Sequence, residues 1–160
     1  FSMKYLITTA IILSSFFLFN SRSFSQSATT MQDIMETVSA KVIELEDQRN
    51  QEIVNMTFDL LVNTGKKTIW RYLDPAFDYD VMVLGDRRVE KLKVTVYKKN
   101  SKTNEWEFVD EYSDDKPVIR LDPQEFEQYE FTVTVDKFKT GSTTGHFALL
   151  LYHQNPERGK

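Results

Sequence analysis

Cysteine is absent from the 160 residues. That excludes disulfides, thiolate nucleophiles, thiolate-ligated zinc and a lipid anchor on an amino-terminal cysteine. Stability must therefore come from packing. An excess of basic charge is also missing. The net charge is -4 with both signs interspersed, so no broad positive surface exists to draw the chain to a phosphate backbone, and nucleic acid is not expected as a partner. Only two histidines occur, His146 and His153. Seven positions along one strand would put them on opposite faces about 23 Å apart, too far to share a metal. No apolar run is long enough to span a bilayer. The longest, residues 5–19, falls short of the roughly 20 residues required, and the polar Asn20, Ser21, Arg22 and Ser23 follow it directly.

That run has the makings of a secretory signal instead. Lys4 supplies the positive start, and Ser23-Phe24-Ser25 sets small residues at the spacing signal peptidase needs. Cleavage is expected before Gln26, removing residues 1–25. The product would be secreted or periplasmic, with no membrane span left. Hydrophobic residues make up 41% of the chain and charged residues 28%, an ordinary globular balance that lets one domain bury a core unaided.

Past the signal, Thr29 with Gln32 three residues on fits a capping box and starts a helix. Met31, Ile34, Met35, Val38, Val42 and Leu45 then recur at three- and four-residue steps, which predicts an amphipathic helical segment within 26–52. Its apolar stripe either packs on the domain's own sheet, the plainer expectation, or docks on a partner through Met31, Ile34, Met35 and Val38.

From residue 53 the texture changes to short apolar stretches punctuated by turn residues. Strands are expected over 53–62, 67–73, 79–84, 89–98, 106–112, 118–121, 129–135 and 146–153. Asn63-Thr64-Gly65 reads as a turn whose glycine takes positive φ. The last strand runs almost without a polar break, so it is expected at the centre of a sheet and covered on both faces. No βαβ alternation calls for a parallel sheet. The predicted fold is mainly β, an antiparallel β-sandwich of jelly-roll type over 53–154 with seven or eight strands, one helix before it and a frayed tail over 155–160.

Tyr79-Asp80-Val81-Met82-Val83-Leu84-Gly85-Asp86, the strand Leu92 to Tyr97, the strand Tyr129 to Val135 and Gly145 to Tyr152 carry a recognisable rhythm. From about Lys66 to His153 the chain resembles the bacterial pre-peptidase C-terminal-like domain. The resemblance implies a jelly-roll module that assists or targets rather than catalyses. It departs at Lys91 and Lys93, cations where relatives commonly place aspartates, so no calcium role carries over to those positions.

The side chains suggest three functions. The first is a non-catalytic module that binds a protein or an extracellular surface polymer. The second is a small-ligand or calcium-binding domain using Asp110, Glu111, Asp114 and Asp115, whose oxygens suit a hard cation but lack EF-hand spacing. Asp78, Asp80 and Asp86 form a looser acidic set of the same kind. The third is a hydrolase using carboxylates such as Asp86 and Glu111. Trp70, Tyr72, Trp106, Phe108 and Tyr112 could form an aromatic platform, but their alternation leads us to expect core packing. The basic residues Arg87, Arg88, Lys91, Lys93, Lys98 and Lys99 read as a solvated patch, and Asn55-Met56-Thr57 fits a glycosylation sequon.

Overall fold

The computed structural model describes residues 29–156. The expected signal therefore lies outside the described residues, along with its cleavage point and the end of the tail. Helix α1 (Thr30–Ile43) opens the described chain and widens into a π-helical turn at Glu44–Gln48. Thr29 caps it as expected, its Oγ1 accepting the Gln32 N–H at 3.1 Å. Gln32 does not complete a capping box, because its amide donates forward to Glu36 at 2.9 Å. Asn50, at a φ of 55°, turns the chain out of the helix.

Eight strands follow: β1 (Gln51–Val62), β2 (Lys66–Leu73), β3 (Tyr79–Gly85), β4 (Val89–Lys99), β5 (Trp106–Asp114), β6 (Val118–Leu121), β7 (Glu127–Phe138) and β8 (Thr144–Gln154). They form two four-stranded antiparallel sheets, ordered β1-β8-β3-β6 and β2-β7-β4-β5. Every connection except β4–β5 crosses between the sheets. This is the jelly-roll arrangement of two packed antiparallel sheets.

Alternation along the strands sends Val81 and Val83 of β3, and Phe147, Leu149 and Leu151 of β8, inward against Leu92, Val94 and Val96 of β4 and Phe131 and Val133 of β7. A second apolar layer lies outside the first sheet. Met82 and Leu84 of β3 and Ala148, Leu150 and Tyr152 of β8 point away from the sandwich and are covered by Ile34, Val38 and Leu45. Burial of each of those three side chains contributes about 1.5–3 kcal/mol. The helix thus packs on its own sheet, and β8 is buried on both faces, which is why it reads as an unbroken apolar run.

Two local expectations differ. In the β1–β2 turn the positive φ falls on Thr64 (64°), not on Gly65. Gly65 serves close approach instead, since a Cβ there would stand 2.9 Å from a Val62 methyl. The segment read as a turn from Ser113 is partly strand, because Ser113 pairs with Lys93 and Asp114 with Leu92.

Candidate functional site

Along β2, Ile69 and Leu73 are buried in the core, so Thr68, Trp70 and Tyr72 must face outward from the second sheet. Register then aligns side chains from all four strands. Trp70 lies opposite Glu130, Glu130 opposite Tyr97, and Tyr97 opposite Phe108. Two residues further along, Tyr72 faces Gln128 and Lys99 faces Trp106. On the other side of this row, Thr68, Thr132, Thr95 and Glu111 align in the same way. Three strand spacings separate Trp70 from Phe108, about 14 Å.

These aromatic rings are in solvent. Trp70 is 50% exposed, Tyr72 61%, Phe108 62% and Phe126, in the loop before β7, 66%. Core packing of Trp70, Tyr72, Trp106 and Phe108 is therefore corrected. Alternation fixes which residues share a face, but only the register and the burial of Ile69 and Leu73 say which face is inside. Tyr112 leaves the group: it lies opposite the buried Val94, on the other side of β5, at the open edge of the sandwich.

The rings are held in place. The Trp70 indole N–H donates to Glu130 Oε2 at 2.9 Å, and Thr132 donates to the other carboxylate oxygen at 3.4 Å. Tyr72 stacks on Phe126 with centroids 5.4 Å apart. Tyr97 meets Phe108 edge-on at 5.9 Å, and the Lys99 ammonium sits 5.9 Å from the centre of the Trp106 ring. Between the aromatic borders lie amide, carboxylate and hydroxyl groups. Thr95 donates to Glu111 at 2.8 Å, and Lys93 pairs with the same carboxylate at 3.7 Å. None of the outward positions on these aligned rows carries an aliphatic side chain.

The expected metal ligands are not gathered. Asp110 and Asp114 lie opposite the buried Val96 and Leu92, while Glu111 lies opposite Thr95 on the aromatic face. Asp115, beyond the strand, lines a hollow with Lys116 and Lys139. Consecutive strand residues alternate faces, so adjacent carboxylates in sequence diverge in space. Among the described residues no three His, Asp or Glu side chains are grouped to hold a metal ion.

Asp86 is occupied structurally. Its buried carboxylate takes the Arg88 guanidinium at 2.7 Å, the Arg88 backbone N–H at 2.9 Å and the His146 backbone N–H at 2.8 Å. Burial pushes its pKa up, but these donors and the Arg88 charge outweigh it and hold the group below the ordinary carboxylate value. Arg88 is accordingly not part of a solvated patch, because it also reaches His146 Nδ1 at 3.1 Å. His153 faces the opposite way, stacked on Phe77 at 4.1 Å inside the end of the sandwich.

Asp80 is the contrasting carboxylate. It lies on the outer face of β3 between Tyr152 and Arg120 and borders two adjoining clefts of about 470 and 370 Å³. Loss of solvent raises its pKa against the pull of Arg120 and Arg49. Arg120 itself is engaged by Asp78 at 2.9 Å. Burial, with a contribution from Asp80, pushes the Tyr152 hydroxyl up to about 12.

The four candidate docking residues on α1 part company. Ile34 and Val38 are buried against β3 and β8, whereas Met31 and Met35 are 45% and 50% exposed. No helix among the described residues is long and apolar enough to cross a membrane.

No family model and no curated protein sequence matches the chain. Solved structures similar to it include the Yersinia pseudotuberculosis-derived mitogen (11% identity, 62% of this chain and 84% of that one, TM-score 0.48). CorA, a surface-associated copper-binding protein of Methylomicrobium album BG8, aligns at 9% identity over 60% of this chain and 91% of its own, with a TM-score of 0.48. The carbohydrate-binding and catalytic modules of Clostridium thermocellum xylanase 10B, complexed with xylohexaose, align at 12% identity over 65% of this chain and 25% of theirs, with a TM-score of 0.38. At such distances these likenesses concern the fold alone.

Proposed function

We propose that this chain is an exported, non-catalytic β-sandwich module that binds a surface polymer, specifically a neutral polysaccharide, on the outer face of β2-β7-β4-β5. The observation that carries the reading is the row Trp70, Glu130, Tyr97 and Phe108, with Tyr72, Phe126 and Trp106 beside it. A cluster of large aromatics left this exposed contributes less to folding than buried rings would and marks a binding surface. Their flat faces suit the C–H faces of sugar rings, and the amide, carboxylate and threonine hydroxyls between them suit sugar hydroxyls. The lack of aliphatic side chains on the aligned rows argues against a protein partner there. Glu111 and Glu130 are offset by Lys93 and Lys99, which favours a neutral polymer over a polyanion. The jelly-roll topology is the one that the resemblance to the pre-peptidase C-terminal-like domain implies.

The test is depletion of the protein from solution by insoluble neutral polysaccharides. Trp70→Ala and Phe108→Ala are each expected to lower the bound fraction by an order of magnitude while costing only about 1 kcal/mol of unfolding free energy, the scale of a lost cross-strand aromatic pair on a half-exposed face. Binding that survives both substitutions would place the site elsewhere.

A second reading has one observation behind it. The Asp80 carboxyl, raised by desolvation at the mouth of a 470 Å³ cleft, suits a small ligand offering a hydrogen-bond donor. Loss of a small-molecule complex in Asp80→Asn, with polysaccharide binding intact, would favour it.

A further inference from the structure

Four strands lie at sheet edges: β1 and β6 in one sheet, β2 and β5 in the other. An unpaired edge invites another strand unless it is short, charged or bent. β6 has only four residues. β5 carries Glu107, Asp110, Glu111 and Asp114 and a register shift. β2 carries Lys66, Lys67 and Arg71. β1 has much less protection. After an irregularity between Ile53 and Asn55 it runs regularly to Val62, and Asp59 is the sole charge in that stretch.

The outer face beside this edge is apolar. Met56, Phe58 and Leu60 lie opposite Leu150, Ala148 and His146 of β8, on the side covered by α1. Met56 is 41% exposed, Leu60 39% and Val62 50%. The helix extends this surface. At about 100° per residue, Asp33 and Thr37 fall on one flank of the buried Ile34–Val38 line and Met31 and Met35 on the other. Asp33 accepts the Arg87 N–H in the β3–β4 turn at 2.7 Å. The methionine flank therefore faces β1, at the end of β8 where Leu60 lies opposite His146.

We propose that β1 is a self-association edge, pairing antiparallel with β1 of a second copy about a two-fold axis at Phe58. In this register Phe58 meets Phe58, Met56 meets Leu60, and Asp59 meets Thr57. No like charges stand directly opposite, and the pairing keeps every side chain on its own face. Each copy brings the Asp59–Lys67 ion pair, 2.9 Å long, to the seam, so each carboxylate arrives already neutralised by a lysine. The Leu60 N–H, which closes on Asp59 Oδ1 at 2.7 Å in the single chain, would gain a strand partner. The patch is self-complementary, as an isologous interface must be. The exposed methionines of both helices then lie along one continuous apolar strip, a soft surface suited to such a contact. A second copy is favoured over a foreign strand by this match of register and charge.

The absence of cysteine provides the test. In the chain from Gln26, Met56→Cys with Leu60→Cys puts thiols opposite each other across the seam, while four residues of extended strand keep them too far apart to close within one chain. Mild oxidation is expected to give a covalent dimer, and the same treatment of Trp70→Cys is expected to give none. Sedimentation velocity of the parent should show a dimer that Met56→Lys with Leu60→Lys converts to a monomer, one whose circular dichroism stays that of the folded parent and whose unfolding midpoint no longer depends on protein concentration. A parent that stays monomeric at every concentration overturns the proposal and leaves the edge to a strand from another protein. A dimer untouched by the lysine substitutions overturns it as well.

Discussion

Asp86 and Asp80 titrate in opposite senses, and each predicts a different dependence of stability on pH. The Asp86 pKa lies below its ordinary value in the folded state, so its contribution is present above about pH 4 and is lost as pH falls through the folded value. Asp86→Ala leaves Arg88 without its buried partner and is expected to cost about 3–5 kcal/mol at pH 7. Against Asp86→Asn, the deficit relative to the parent should shrink as pH drops below 4. The Asp80 pKa is raised by desolvation, so its stabilising contribution is complete below about pH 4 and disappears as pH rises through the folded value. Asp80→Asn should therefore unfold at higher urea than the parent at pH 7 and match it at pH 3. Denaturation of the parent, Asp86→Asn and Asp80→Asn at pH 7 and pH 3 checks both signs. Neither role was legible in the sequence, where Asp78, Asp80 and Asp86 look alike. What separates them is Arg88 and the start of β8 closing over one carboxylate and not over another.

Helix α1 and strand β8 depend on each other. Ala148, Leu150 and Tyr152 would be an exposed apolar face without Ile34, Val38 and Leu45 above them, and the helix has no other surface to cover. Ile34→Ala and Leu150→Ala are each expected to cost about 2–5 kcal/mol in urea unfolding. The double substitution should cost less than their sum, because the two side chains share one contact layer. The existence of the helix and its Thr29 cap follow from the sequence, and so does the double burial of β8. The division of its stripe does not. Periodicity groups Met31 and Met35 with Ile34 and Val38, but the part of the helix lying on β8 and β3 covers only the Ile34–Val38 line. The strands could be read for a similar reason. Val118 to Leu121 and the Val89 strand alternate cleanly between turn residues, and the differences elsewhere are one to three residues at strand ends.

At the scale of the whole molecule, the sandwich separates three surfaces by chemistry. One sheet is covered by the helix, its β1 edge is largely apolar, and the opposite sheet presents aromatic rings among hydroxyls, amides and balanced charges. The aromatic residues were visible in the sequence, but the side on which they stand was not, since Trp70 and Ile69 differ by one position and only pairing across four strands decides between solvent and core. The chain has two tryptophans, Trp70 and Trp106, and both stand on that face. Intrinsic fluorescence therefore reports on the proposed site without labels. The most direct measurement is a tryptophan emission titration with soluble oligosaccharides cut from a polysaccharide that depletes the protein. Stacking of sugar rings on the indoles should shift and saturate the emission, and Trp70→Phe should remove most of the change. Saturable binding of the same oligosaccharide, measured by calorimetry, with no change in tryptophan emission would contradict the account.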